Sequence, residues 1–300
     1  MARWTTSTKT ASLLPKMSKI KLYYELMKPG IIYGNALTAV AGFFLAAQGT
    51  ISVLLLAETL AGISLVIASA CIFNNYIDRD IDIKMERTKN RALAIRSISP
   101  FRALTFATVL GVLGALILLV HTNVLTFAIA LSGFFIYVVV YGFAKRHSPL
   151  GVHVGALAGA VPPLVGYTAV TNTIDATGLT LFMVLVVWQM PHFFSIAIYR
   201  QEEYKAAGIY VLPLRLGAFR TKLLITIYVA VFAFAALVLG LVGPVSVAYQ
   251  IAMAIVCMGW FALSLMGFLK NDEAHDRTWA RRMFFYSLIV ITLFSLVLIV

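Results

Sequence analysis

Charge is what this chain has least of. Asp, Glu, Lys and Arg make up 12% of its 300 residues, about half the share found in ordinary soluble domains, while 61% are hydrophobic and the mean hydropathy is +0.92. So few charges cannot cover a water-soluble fold, and the sequence reads as a membrane protein. Cysteine is nearly missing too: Cys71 and Cys257 are the whole complement, and both fall inside apolar segments. That excludes a disulfide framework and predicts two free thiols within helices. Residues 1–29 are basic and polar, end in Lys28-Pro29-Gly30, and lack a short apolar core followed by a cleavage site. No cleaved signal peptide is expected, and the first span is expected to direct its own insertion.

What the chain has in abundance is apolar runs of about 20 residues, the length that crosses a hydrocarbon core of roughly 30 Å. Nine stand out, near 31–48, 53–76, 102–121, 124–142, 150–170, 179–199, 222–242, 245–269 and 282–300. They are continuous rather than ten-residue alternations, and the bilayer core offers backbone amides no water, so they predict helices and not barrel strands. The expected fold class is all-α: a polytopic bundle of nine transmembrane helices, with residues 1–29 as a tail and 30–300 as one membrane-embedded domain.

All 24 Lys and Arg residues lie in the tail or in the connections near 77–102, 143–149, 200–222 and 270–282; the connections QGTIS, HTN, TNTIDATG and GP hold none. This alternation fits the positive-inside rule for nine spans, with the N-terminus cytoplasmic and the C-terminus outside. The net charge of +12 is spread over short loops that would face anionic membrane lipids, with no basic module of foldable size, so nucleic acid is not an expected partner.

Acids are the scarcer sign, yet four of the 12, Asp78, Asp80, Asp82 and Glu86, crowd into NNYIDRDIDIKMERTKNR, residues 74–91. The stretch sits at the cytoplasmic end of the second span. Asn74, Asp78 and Asp82 follow one another at i, i+4 and i+8, which lines up one amide and two carboxylates on one helical face. Mg2+ prefers one or two protein carboxylates with water and phosphate oxygens completing its shell, so the row reads as half of a magnesium–diphosphate site. A helix end that merely solvates its loop would carry mixed charge as well. The basic run behind the row, Lys84, Arg87, Lys89 and Arg91, favours polyphosphate, which Arg grips as a planar fork and Lys as a point charge. Asp80 points away from the row and is expected to be solvated or paired with arginine.

A second cluster, WQMPHFFSIAIYRQEEYKAAGIYVLP at 188–213, ends the sixth span on the same face. Glu203 is the candidate for an opposing metal ligand, although Glu202 and Glu203 beside Arg200 and Lys205 also fit a solvated helix end. His192 lies about two turns deeper, after Pro191, where polar side chains usually face the bundle interior. It reads either as a structural histidine bonded to a neighbouring helix or as an acceptor-binding group, with Trp188, Gln189 and Phe193 as a wall. Lys145-Arg146-His147 closes the fourth span on that face, where it sets topology or reaches the diphosphate. On the outer half, Asp175 reads as a solvated loop residue and Glu58 carries no reading.

These residues form a known pattern. NNYIDRDID, continuing through MERTKNRAL, resembles the N-x-x-x-D-x-x-x-D signature and trailing R-T-x-x-R of the intramembrane prenyltransferases, the superfamily of the ubiquinone-pathway enzymes. More narrowly, KPGIIYGN at 28–35, FNNYIDRDIDIKMERTKNR at 73–91, WQMPHF at 188–193, YKAAGIYVLP at 204–213 and RTWARRMF at 277–284 are similar to its haem-farnesylating branch. Two departures stand out: Ala92 follows the arginine where the superfamily often has proline, and Tyr199 and Glu203 take the spacing of a second D-x-x-x-D. The second departure is shared by haem-farnesylating relatives.

The resemblance implies transfer of the farnesyl group of farnesyl diphosphate to a vinyl group of haem B, with addition of water, giving haem O. Asn74, Asp78 and Asp82, with Glu203 as a further contributor, are then expected to hold Mg2+. Arg87 and Arg91 are expected to stabilise the leaving diphosphate, with Lys84, Lys145, Arg146 and Arg200 around it, and His192 to orient the haem or bind its iron. Haem and farnesyl diphosphate are substrates on this reading, and haem O passes to a haem A synthase or a terminal oxidase. The expected location is a bacterial inner membrane, with the site on the cytoplasmic side. Two other functions share parts of the pattern: prenylation of an aromatic acceptor such as a hydroxybenzoate or naphthoate, and secondary transport, whose polar sites usually lie nearer the bilayer midplane.

Overall fold

The computed structural model describes residues 18–148, 150–209, 211–270 and 272–299. Among them the chain is helical and no strand occurs. Among the described residues nine helices are long and apolar enough to cross a bilayer: Pro29–Ala47, Val53–Ile77, Pro100–His121, Val124–His147, Gly151–Thr171, Ala176–Tyr199, Leu212–Val242, Val247–Phe268 and Glu273–Val297. The chain is therefore a multi-pass membrane protein, and these helices are numbered here as its first to ninth spans.

The seventh and ninth spans begin well before the expected 222 and 282. An apolar run ends on paper at its first cation, but a lysine stem can bury along a helix when its ammonium is satisfied. Lys222 shows how: it is 1% exposed, and its Nζ donates to Asp276 Oδ1 and to the Gly267 carbonyl, both at 2.8 Å. Of the segment expected to be a tail without a cleaved signal, residues 1–17 lie outside the described residues. The rest is built into the fold, since Lys19–Leu26 forms a helix capped by Ser18 and buries Leu26 against Ile72, Leu93 and Ile98.

Helix pairs that pack most extensively do so through glycine. A Cβ at Gly42 would sit 2.0 Å from the Pro163 carbonyl oxygen, and one at Gly166 would sit 2.0 Å from that of Ala39, so the first and fifth spans cross backbone to backbone. The second and third spans use Gly62 and Gly114 in the same way. The fifth span breaks at Ala160, ahead of Pro162 and Pro163, and Gln189 of the sixth span donates to the Ala156 carbonyl beside the break at 2.9 Å. Such breaks survive in a bilayer when protein groups cover the backbone they expose.

In the most apolar 18-residue stretch of each helix, 67% of the fifth span and 56% of the sixth is buried inside the protein, against 17% of the fourth. The fifth and sixth spans are thus the inner helices. On the face away from the basic connections, Asp175 is exposed but caps the sixth span through Gly178 N at 2.9 Å and accepts from the Tyr167 hydroxyl, so it does more than solvate a loop. Glu58, which had no reading, pairs with His121 Nδ1 at 2.8 Å.

Candidate active site at the charged end of the bundle

The second span ends at Ile77, and the chain turns through Asp78 into one further helical turn, Arg79–Asp82. Backbone bonds from Asp78 N to Asn74 O (2.9 Å) and from Asp82 N to Asp78 O (2.8 Å) carry the helical spacing across the junction. Asn74, Asp78 and Asp82 therefore keep their common face, and Asn74 and Asp82 are buried at 3% and 4% exposure. The loop beyond is pinned by apolar anchors, Met85, Leu93 and Ile98, and by Thr88, whose hydroxyl donates to the Asp82 carbonyl at 2.9 Å. That folds the loop back so that Arg91 Nη1 reaches both carboxylate oxygens of Asp82, at 2.9 and 3.0 Å.

The fourth span supplies the other cations. A π-helical turn at Ile136–Val140 interrupts it, and such turns shift the register of the residues that follow. Tyr137 and Tyr141 stack at 5.5 Å, Lys145 Nζ lies 5.0 Å above the Tyr141 ring, and Lys145 Nζ donates to Asp78 Oδ2 at 2.5 Å. The Asn74 amide is oriented with its nitrogen donating to Asp78 Oδ2 at 2.9 Å and its oxygen accepting from Lys145 Nζ at 2.8 Å. Arg146 bonds the Ile77 carbonyl and pairs with Asp80, Nη2 to Oδ1 at 2.7 Å. That guanidinium holds the Asp80 carboxyl down at about 2, so Asp80 is arginine-paired and ionised, off the row.

Lys28 was missed as a site residue. It precedes Pro29 with φ 56° and ψ 65°, a left-handed backbone that costs a non-glycine residue on the order of 1–3 kcal/mol, and its ammonium lies 3.3 Å from the Asn74 amide. Burial pushes its pKa down to about 8, against the opposing pull of Asp78 and Asp82. The only sequence signal for it was its place in KPGIIYGN.

The second cluster ends the sixth span at the same charged end of the bundle. Arg200 Nε donates to the Tyr199 hydroxyl at 2.7 Å and its Nη1 to Glu203 Oε1 at 2.6 Å, while Gly208, at φ 70°, ends the short helix Gln201–Ala207. Burial raises the Tyr204 phenol, a rise that the positive charges of Arg87 and Arg200 oppose. Glu203 is bound to Arg200 and makes no hydrogen bond or ion pair with the Asn74 row among the described residues. Lys84 is exposed and likewise makes no ion pair there.

Whether this set suits Mg2+ turns on its free oxygens. Asp78 Oδ1 and Glu203 Oε2 are buried without a hydrogen-bond partner, and two carboxylates beside an amide are the hard donors this ion takes. Among the described residues no three His, Cys, Asp or Glu side chains gather into a metal cluster. The residues therefore fit a magnesium ion that keeps open positions for oxygen ligands from outside the protein.

Deeper in the bundle, His192 is half-buried among aromatic rings: Trp188 stacks on it at 4.9 Å, and Phe193 and Phe284 lie at 5.2 and 5.0 Å. Its Nδ1 lies 2.7 Å from the hydroxyl of Ser287 on the ninth span. The bond to a neighbouring helix, expected of a structural histidine, is present; of the expected wall, Trp188 and Phe193 lie against the ring, whereas Gln189 bonds the Ala156 carbonyl of the fifth span.

A polar row ringed by cations lies at the charged end of the helical bundle, and the chain belongs to the UbiA prenyltransferase family, which matches residues 35–289. Within that family it is similar to the protoheme IX farnesyltransferases. It is 47% identical over 280 residues to that of Edwardsiella ictaluri (strain 93-146), covering 93% of this chain and 94% of the relative. To that of Acinetobacter baumannii (strain AYE) it is 47% identical over 278 residues, covering 92% and 94%. The fold is that of solved family structures. A structure described for digeranylgeranylglyceryl phosphate synthase superposes with a TM-score of 0.78 at 19% identity, covering 94% of this chain and 99% of that one. A UbiA homologue from Archaeoglobus fulgidus bound to GPP and Mg2+ gives 0.66 at 13% identity, covering 90% and 99%.

Proposed function

We propose that the protein transfers the farnesyl group of farnesyl diphosphate to a vinyl group of haem B, with addition of water, to form haem O and release diphosphate. The observation that carries this is the Asn74-Asp78-Asp82 row, ringed by Lys28, Arg91 and Lys145, in a chain similar over almost its whole length to protoheme IX farnesyltransferases.

Asn74, Asp78 and Asp82 would hold Mg2+, with Glu203 from the facing cluster. Bound there, the ion would offset diphosphate charge and favour its departure. The cations do the rest: Arg87, Arg91, Lys145, Arg146 and Arg200, with Lys28 and the more distant Lys84, stabilise the negative charge that develops as the C1–O bond breaks. The electron pair leaves with diphosphate. The vinyl π electrons then form the new carbon–carbon bond, and water adds at the carbon next to the porphyrin and loses a proton. The apolar bundle shields the allylic cation from water until that bond has formed.

We place the charged face on the cytoplasmic side of a bacterial inner membrane, where the basic connections belong. Haem O would pass from there to a haem A synthase or a terminal oxidase.

The test is incubation of the solubilised protein with haem B, farnesyl diphosphate and Mg2+, with and without chelator, followed by mass analysis of the extracted haem. The expected product is heavier by one farnesyl group and one hydroxyl and is lost on chelation. Unmodified haem, with diphosphate released only when a hydroxybenzoate is supplied, would move the acceptor to an aromatic compound. No diphosphate release with any acceptor would remove the transferase reading.

A further inference from the structure

The hydrogen bonding around His192 fixes which of its nitrogens is free. Ser287, which is fully buried, has one hydroxyl hydrogen. Its Oγ lies 2.6 Å from the Phe284 carbonyl oxygen, a separation that two oxygens tolerate only with a hydrogen between them, so the hydroxyl donates there. Toward His192 the same oxygen can only accept. The imidazole therefore carries its hydrogen on Nδ1, and the lone pair is on Nε2.

That nitrogen makes no hydrogen bond to any described residue, although His192 lies in a membrane-spanning helix. The ring plane is fixed as well: Trp188 stacks on the imidazole with 26° between planes, and its indole Nε1 donates to the Ser287 carbonyl at 2.9 Å. One serine thus anchors both the histidine and the tryptophan against it. An imidazole bonded through one nitrogen, with the other left without a hydrogen bond and the ring set among Trp188, Phe193 and Phe284, has the form of a metal-ligating histidine, whose second ring N–H donates to a fixing group.

Resting on the reading of haem B as acceptor and on the iron-binding role for His192 that the resemblance implies, we propose that Ser287 is the positioning residue that holds His192 in the Nδ1–H form and so leaves Nε2 free to ligate the haem iron. The Nε2 lone pair forms a coordinate bond to iron, and no electron or proton changes hands. Ligation ties the porphyrin to the sixth span through its metal and leaves its vinyl groups unbonded.

The experiment is titration of the full-length solubilised protein with ferric haem B and, separately, with metal-free protoporphyrin IX, read by optical and electron paramagnetic resonance spectra. Wild type is expected to give a histidine-ligated iron spectrum. His192→Ala should lose that spectrum and bind haem B at least tenfold more weakly, bind metal-free porphyrin within about twofold of wild type, and regain the spectrum with added imidazole. Ser287→Ala should weaken haem binding about tenfold and Ser287→Thr should restore it. A histidine spectrum that survives in His192→Ala, or equal loss of both porphyrins, overturns the ligation. An unchanged haem affinity and spectrum in Ser287→Ala overturns the positioning role. Farnesyl transfer by wild type in the same preparation separates the two ideas: transfer without a His192-dependent spectrum sinks the ligation alone, and a His192-dependent spectrum without transfer sinks the assigned reaction alone.

Discussion

Asp82 and Asp78 are held by different means. Arg91 grips both oxygens of Asp82, whereas Asp78 shares one oxygen with Lys145 and Asn74 and leaves the other without a hydrogen bond. Asp78→Asn and Asp82→Asn are each expected to lower transfer at least about 100-fold, since each removes a hard oxygen charge from the diphosphate end. Asp82→Asn should also cost roughly 2 kcal/mol of stability, because Arg91 loses a charged partner, and thermal unfolding in detergent reads this separately from activity. Full activity in both variants would remove the row from the chemistry. Lys28→Ala is expected to lower kcat and kcat/KM for farnesyl diphosphate about tenfold with KM less affected, the sign of a group whose contact strengthens as the leaving diphosphate gains charge. The row was legible because a helix turns every 3.6 residues and three oxygen-bearing side chains at intervals of four must share a face. Lys28 and Ser287 were not, because they lie beside Asn74 and His192 from 46 and 95 residues away, and no local pattern encodes such a distance.

Helix existence was legible from apolar length alone, but where the helices touch was not. Glycines read in sequence as weak points for a helix; at Gly42 and Gly166 they are where the first and fifth spans press backbone on backbone. Gly42→Ala and Gly166→Ala are each expected to destabilise the protein by about 1–3 kcal/mol, since a methyl group has to force the two spans apart. Gly30→Ala, where an added Cβ meets nothing within 4 Å, serves as the control and should leave the melting temperature within a degree or two. Equal effects at all three positions would show that helix propensity, and not the crossing, decides the outcome.

The molecule carries its basic connections on one face, and its two cysteines are buried in the second and eighth spans. Wild type should therefore be inert to a membrane-impermeant maleimide in intact cells and largely so after lysis. Thr173→Cys, in the exposed connection between the fifth and sixth spans, is expected to label in intact cells, and Ser97→Cys, in the exposed loop after the aspartate row, only after lysis. The reverse pattern would turn the molecule over and put the diphosphate end outside.

The fifth span is at once the least apolar of the nine, broken before two prolines, and the most enclosed by protein. Lipid alone gives such a segment little reason to leave water. Its place in the bilayer is conferred by neighbours, above all the first span that meets it at Gly42 and the sixth span whose Gln189 covers its break. During synthesis it is therefore the segment that waits: a chain released after its fifth span should leave that helix poorly inserted, and the sixth would bring it home.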